Sequence, residues 1–124
     1  MKKIMMAVML AAMPAGPLFA QSMNLSQFLD RATRLEKKGA MAVFSSDMTK
    51  LKNETNGSFK VLREERIAAQ AAGKKPAYCP PDGKGGLAVA EILGHFRSIP
   101  EAQRARMTTK QGFQSLLARK FPCR

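Results

Sequence analysis

The chain has 124 residues, with 21 Lys and Arg against 9 Asp and Glu, one His and two Cys, for a formal net charge of +12. A length of this order supports one domain with a single modest core, burying about two-thirds of the surface that the unfolded chain exposes. One histidine excludes a two-histidine metal site, and two cysteines allow one intramolecular cross-link.

The first element is MKKIMMAVMLAAMPAGPLFAQS. Lys2 and Lys3 precede an apolar run from Ile4 to Met13, and small residues stand at Ala20 and Ser22. That is the three-part layout of a secretory signal, so residues 1–20 are predicted to be a cleaved leader and residues 21–124 one mature domain. Ala20 and Ser22 also form a small pair that permits cleavage after Ser22, leaving Met23 first. A retained anchor fits less well: a spanning helix needs roughly 20 apolar residues, and Pro14, Gly16 and Pro17 interrupt this one. No cysteine lies near the cleavage region for lipid attachment. Loss of Lys2 and Lys3 takes the basic count from 21 to 19 against 9 acids, a net +10. The mature chain is thus predicted to be periplasmic or secreted, with no transmembrane anchor.

The first helix follows at NLSQFLDRATRLEKKG. Leu25, Phe28, Leu29, Ala32 and Leu35 share one face, Asn24 and Gln27 have capping-box spacing, Met23 and Phe28 have the spacing of a hydrophobic staple, and Gly39 is the stop. The run AMAVF leads to Ser45 and Ser46, either of which can cap a longer second helix starting near Asp47. Its stripe is Met48, Leu51, Thr55, Phe59, Leu62, Arg66 and Ala69. Gly57 lies within this segment and weakens it by about 1 kcal/mol relative to alanine, so a bend or split is expected near Asn56 and Gly57. Gly73, Lys74, Lys75 and Pro76 end it: glycine suits a left-handed cap, the lysines complement the helix dipole, and proline forbids continuation.

After the loop AYCPPDGKGG, a third amphipathic helix carries Leu87, Val89, Ile92, Leu93 and Phe96. Pro100 starts a short helical turn through Arg104, and Thr108 and Gln111 repeat the capping-box spacing before a last helix with Phe113, Leu116 and Leu117. No segment alternates apolar and polar residues for long enough to make a strand. The fold class is all-α, a small bundle of four to five helices.

In an exported chain, an even number of cysteines defaults to a disulfide, here Cys79 with Cys123. A reactive thiol would instead want CxxC spacing or a suitably placed histidine. The GKGG stretch lacks the preceding strand, longer glycine spacing and Lys-Ser/Thr pair of a phosphate-binding loop, so it reads as turn chemistry beside stiff Pro80 and Pro81. His95 lies beside the apolar centre of the third helix and reads as a boundary residue. A serine hydrolase would need His95 joined to distant serine or carboxylate groups, and there is no GxSxG elbow. Glu64 and Glu65 point about 100° apart on a helix and form no local dyad, while Lys60 and Glu64 are spaced as an i,i+4 pair. No catalytic residue, metal or cofactor is predicted. The basic surface suits an acidic protein partner, or anionic lipid or wall polymer near Arg97, Arg104 and Arg106; nucleic acid is not expected, because the aromatic interleaving is sparse.

The segment from Tyr78 to Cys123 resembles the Rap/Tai family of immunity proteins associated with type VI secretion. The resemblance rests on the order of Cys79-Pro80-Pro81, an amphipathic helix ending at Ile99-Pro100-Glu101, a further helix with Leu116, and the closing Phe121-Pro122-Cys123. The further cysteine pair that typical members carry in the N-terminal half has no counterpart here. The resemblance implies a small exported helical protein that neutralises a peptidoglycan-amidase toxin by plugging its cleft. Lys74, Lys75, Asp82 and Lys84 are then the candidate contacts. The alternative expectation is a cationic envelope protein that binds anionic lipid or wall polymer.

Overall fold

The computed structural model describes residues 23–81 and 86–124; the predicted leader, Asp82 and Lys84 lie outside the described residues. Within them the chain forms α1 (Leu25–Lys38), a 3-10 turn (Gly39–Phe44), α2 (Ser46–Ala71), α3 (Val89–Ser98), α4 (Glu101–Arg104) and α5 (Thr109–Lys120). The described residues contain no strand, and their one extended pairing is an isolated antiparallel bridge between Asn24 and Thr108.

The two helices that flank this bridge are both started by side chains. Asn24 Oδ1 accepts from Ser26 N at 2.8 Å, and Gln27 closes the capping box. Thr108 and Gln111 do the same for α5. Each box satisfies backbone N–H groups that a helix start leaves free, about 1 kcal/mol per cap. The bridge then ties one cap to the other, with Leu25 N donating to Met107 O at 3.0 Å and Thr109 N to Met23 O at 2.8 Å.

The predicted face of α1 is the buried one: Leu25, Phe28, Leu29, Ala32 and Leu35 all enter the core. They meet α2, α3, α4 and α5, and α2 lies along α5. Phe96 of α3 and Phe113 of α5 are fully buried and stand edge-to-face with each other at 5.1 Å and with Phe28 at 5.5 and 5.9 Å. Each such pair contributes about 0.5–1.5 kcal/mol beyond the area it buries. A Cβ on Gly112 would come within 3.0 Å of Leu25 and Phe96 side-chain atoms, so the missing side chain is what lets α5 seat against both.

Two expectations fail on α2. The helix runs unbroken through 26 residues, and Gly57 does not split it. Gly57 faces solvent, while Leu51 and Leu62 on either side of it anchor the helix in the core, outweighing a local penalty of about 1 kcal/mol. Lys60 and Glu64 do not pair; among the described residues the ion pair on this stretch joins Glu65 to Lys110 of α5. The start of α2 is held by Ser45, which accepts from Asp47 N, and by Asp47 itself, which takes Arg31 at 2.9 Å and Arg34 at 3.2 Å from α1. Arg34 chiefly, then Arg31, holds the Asp47 carboxyl below its ordinary value against the opposing effect of burial. The predicted stops hold as well: Gly39 and Gly73 both take positive φ, 56° and 69°, the region that favours glycine.

Candidate binding surface

Cys79 and Cys123 are disulfide-bonded with their Cα atoms 5.0 Å apart. Cys79 N donates to Phe121 O at 2.8 Å, so the loop leaving α2 is bound to the tail of α5 by backbone as well as by sulfur. One residue earlier, Tyr78 is buried at 5 % exposure, and the Arg66 guanidinium lies 5.6 Å from its ring centroid. Such a stacked cation is attracted by the ring face and is held in place at the surface.

This joint shapes one wall of an open cleft of about 520 Å³ between α2 and the loop. Lys60, Arg63 and Arg66 line it from α2, Tyr78 and Pro80 from the loop, and Phe59 and Leu117 from its base. Among the described residues no carboxylate lines the cleft, so that lining combines an apolar floor with one sign of charge, the arrangement that focuses field on an anionic group. Lys74 and Lys75 are exposed just beyond α2 and do not line this cleft. Of the sequence-derived contact set, Asp82 and Lys84 lie outside the described residues. The cations that do converge were legible only as a helical stripe at spacing three, which the apolar reading of Arg66 obscured.

A second cleft, of about 450 Å³, is lined by His95, Glu91, Ser98, Arg119 and Lys120. His95 Nε2 lies 2.8 Å from Ser115 Oγ, a proximity that 20 residues of separation hid from sequence reading. Ser115 Oγ in turn donates to Gly112 O at 2.8 Å, which commits the serine proton to the helix backbone. The imidazole is then the donor, through Nε2–H, and Nδ1 is left buried without a partner. That polarity is the reverse of a nucleophile–base pair, and no carboxylate hydrogen-bonds the other ring nitrogen. Burial first and Arg119 second lower the His95 pKa, further favouring the neutral ring. Glu91 is held by Lys120 at 2.8 Å, which lowers its pKa.

At the corner between α1 and α2, the 3-10 turn buries only Ala42. Met41 and Val43 are each 66 % exposed and Phe44 is 82 % exposed. Lys37 and Lys38 precede them, and Lys50 follows in α2, all exposed. No helix among the described residues is long and apolar enough to cross a membrane, and no three His, Cys, Asp or Glu side chains among them converge as a metal site. Comparison with protein-family models, curated proteins and solved structures finds no match to this chain.

Proposed function

We propose that this chain is an exported, non-enzymatic binding protein that acts in the manner of the immunity proteins it resembles, by covering the cleft of a peptidoglycan-amidase toxin. The observation that supports this reading most is the cation-lined cleft of Lys60, Arg63 and Arg66, fixed against a disulfide-tied loop. A surface whose backbone is already held loses little freedom on docking, and complementary charge raises the encounter rate and suppresses wrong partners. Lys74, Lys75, Asp82 and Lys84 extend the candidate contact set along the same loop.

The test is a pull-down from periplasm with the oxidised mature chain at about 0.15 M salt, where surface charges are screened beyond roughly 8 Å. A stoichiometric amidase partner is expected, retained by the wild type and weakened on the order of tenfold or more by Lys60→Glu with Arg63→Glu. A partner held equally by the variant, or none at this ionic strength, overturns the reading.

A second reading is favoured by a separate observation, the exposed Met41, Val43 and Phe44 beside Lys37, Lys38 and Lys50. Exposed apolar side chains with exposed lysines close by in sequence suit the headgroup layer of an anionic bilayer, as a cationic envelope protein would require.

A further inference from the structure

Among the described residues Glu54 is the one buried acidic side chain, at 9 % exposure. Asp47, Glu36, Glu65 and Glu91 each meet an arginine or lysine, whereas among the described residues Glu54 meets none. Its partner is the backbone nitrogen of Met23, which donates to Oε1 at 2.7 Å. Met23 is fixed on its other side too, because its carbonyl accepts from both Thr109 N and Thr109 Oγ1 at 2.8 Å. The chain is thus locked from the Met23 nitrogen onward, with that nitrogen against a buried carboxylate. A lone amide N–H supplies one donor and no charge, which compensates a buried carboxylate poorly.

We propose that the leader is cut between Ser22 and Met23 and that the new α-ammonium group of Met23 seats on the Glu54 carboxylate. The proposal rests on the export reading. Cleavage there places small residues, Ala20 and Ser22, three and one positions before the cut. Cleavage after Ala20 puts Leu18 in the outer of those positions and leaves the Met23 nitrogen that meets Glu54 an uncharged amide. A membrane leader peptidase would add water across the Ser22–Met23 amide. The Ser22 carbonyl carbon takes the hydroxyl and departs as the leader's terminal carboxylate; the Met23 nitrogen takes the proton, leaves as an amine and is protonated at neutral pH. The atom already bonded to Glu54 then becomes a full positive charge with three donors, and the bond becomes charge-assisted.

The intact mass of the exported, oxidised protein tests the cut. The expected mass is that of residues 23–124 less two hydrogens. A mass for residues 21–124 overturns this proposal and leaves the export reading standing; a mass for all 124 residues overturns both. The seat on Glu54 is tested by the pH dependence of reductive methylation at the Met23 α-amine, followed on its peptide. Pairing is expected to raise the α-amine pKa by about one unit or more above its usual value near 8, slowing labelling on the order of tenfold at neutral pH. An α-amine that titrates in the ordinary range overturns the pairing.

Discussion

His95 shows how one side chain makes stability depend on pH. In the unfolded chain an imidazole titrates near about 6.5; in the fold, burial and then Arg119 lower that value. As pH falls through the unfolded value, the unfolded state takes up a proton before the folded state does, so the fold loses stability, and the loss is complete below the folded pKa. Glu54 acts in the opposite sense while Met23 N is an amide: its pKa is raised by burial, against the bond from Met23, so its ionisation weakens the fold as pH rises above the unfolded carboxylate range. Asp47, with its lowered pKa, contributes stability that is present above the unfolded carboxylate value and lost as pH falls through the folded one. A raw profile mixes all three. The difference between wild type and His95→Asn isolates the histidine: thermal midpoints followed by circular dichroism from about pH 7.5 to 5 are expected to fall more steeply for the wild type. Parallel profiles would mean that the imidazole titrates alike in both states.

At the scale of elements, the cross-link between the α2–α3 loop and the tail of α5 ties together parts of the chain that are far apart in sequence. Cys79 and Cys123 are 44 residues apart in sequence, and closing a loop of that length restricts the unfolded chain by about 4 kcal/mol. The double variant Cys79→Ser with Cys123→Ser is expected to lose that amount in urea unfolding, about a third or more of what a domain of this size commonly has. A loss under about 1 kcal/mol would mean that the Cys79 N to Phe121 O bond and Tyr78 packing already hold the loop. The elements themselves were legible where their signals are local. Asn24 with Gln27, Thr108 with Gln111, Gly39 and Gly73 mark helix ends through contacts within a turn, and the α1 face follows from period alone. What stayed hidden is non-local. Gly57 is tolerated because Leu51 and Leu62 pack on other helices, and Glu54 is buried because Met23 arrives from 31 residues away. Val89 fits the periodic stripe of α3 and yet is 71 % exposed, since Phe96 is the side chain on that helix which reaches the centre. The candidate site was the least legible part: Lys60, Arg63 and Arg66 become a cleft only once the disulfide brings Tyr78 and Pro80 beside them.

For the whole molecule, the balance of charge and exposed apolar surface decides what the chain meets in solution. A formal net charge of +12 sets two copies against each other, and Lys37, Lys38 and Lys50 add to that repulsion near the corner where Met41, Val43 and Phe44 protrude. Self-association through this corner is therefore opposed at low salt, whereas an anionic surface is attracted by the same lysines at about 1 kcal/mol each close to the bilayer. Inserting Phe44 adds apolar burial of roughly 1.5–3 kcal/mol. The expected outcome is co-sedimentation with vesicles of phosphatidylglycerol and phosphatidylethanolamine, weak binding to pure phosphatidylcholine, and release as salt rises. Phe44→Ser should weaken binding on the order of tenfold without shifting the thermal midpoint, because the side chain is 82 % exposed and packs against little. Lys60→Glu with Arg63→Glu, on the cleft rather than the corner, should lower vesicle binding only through net charge, and so less than it lowers capture of a protein partner. Equal retention on neutral and anionic vesicles, or indifference to Phe44→Ser, would assign the corner no part in lipid binding and leave the cleft as the proposed binding surface.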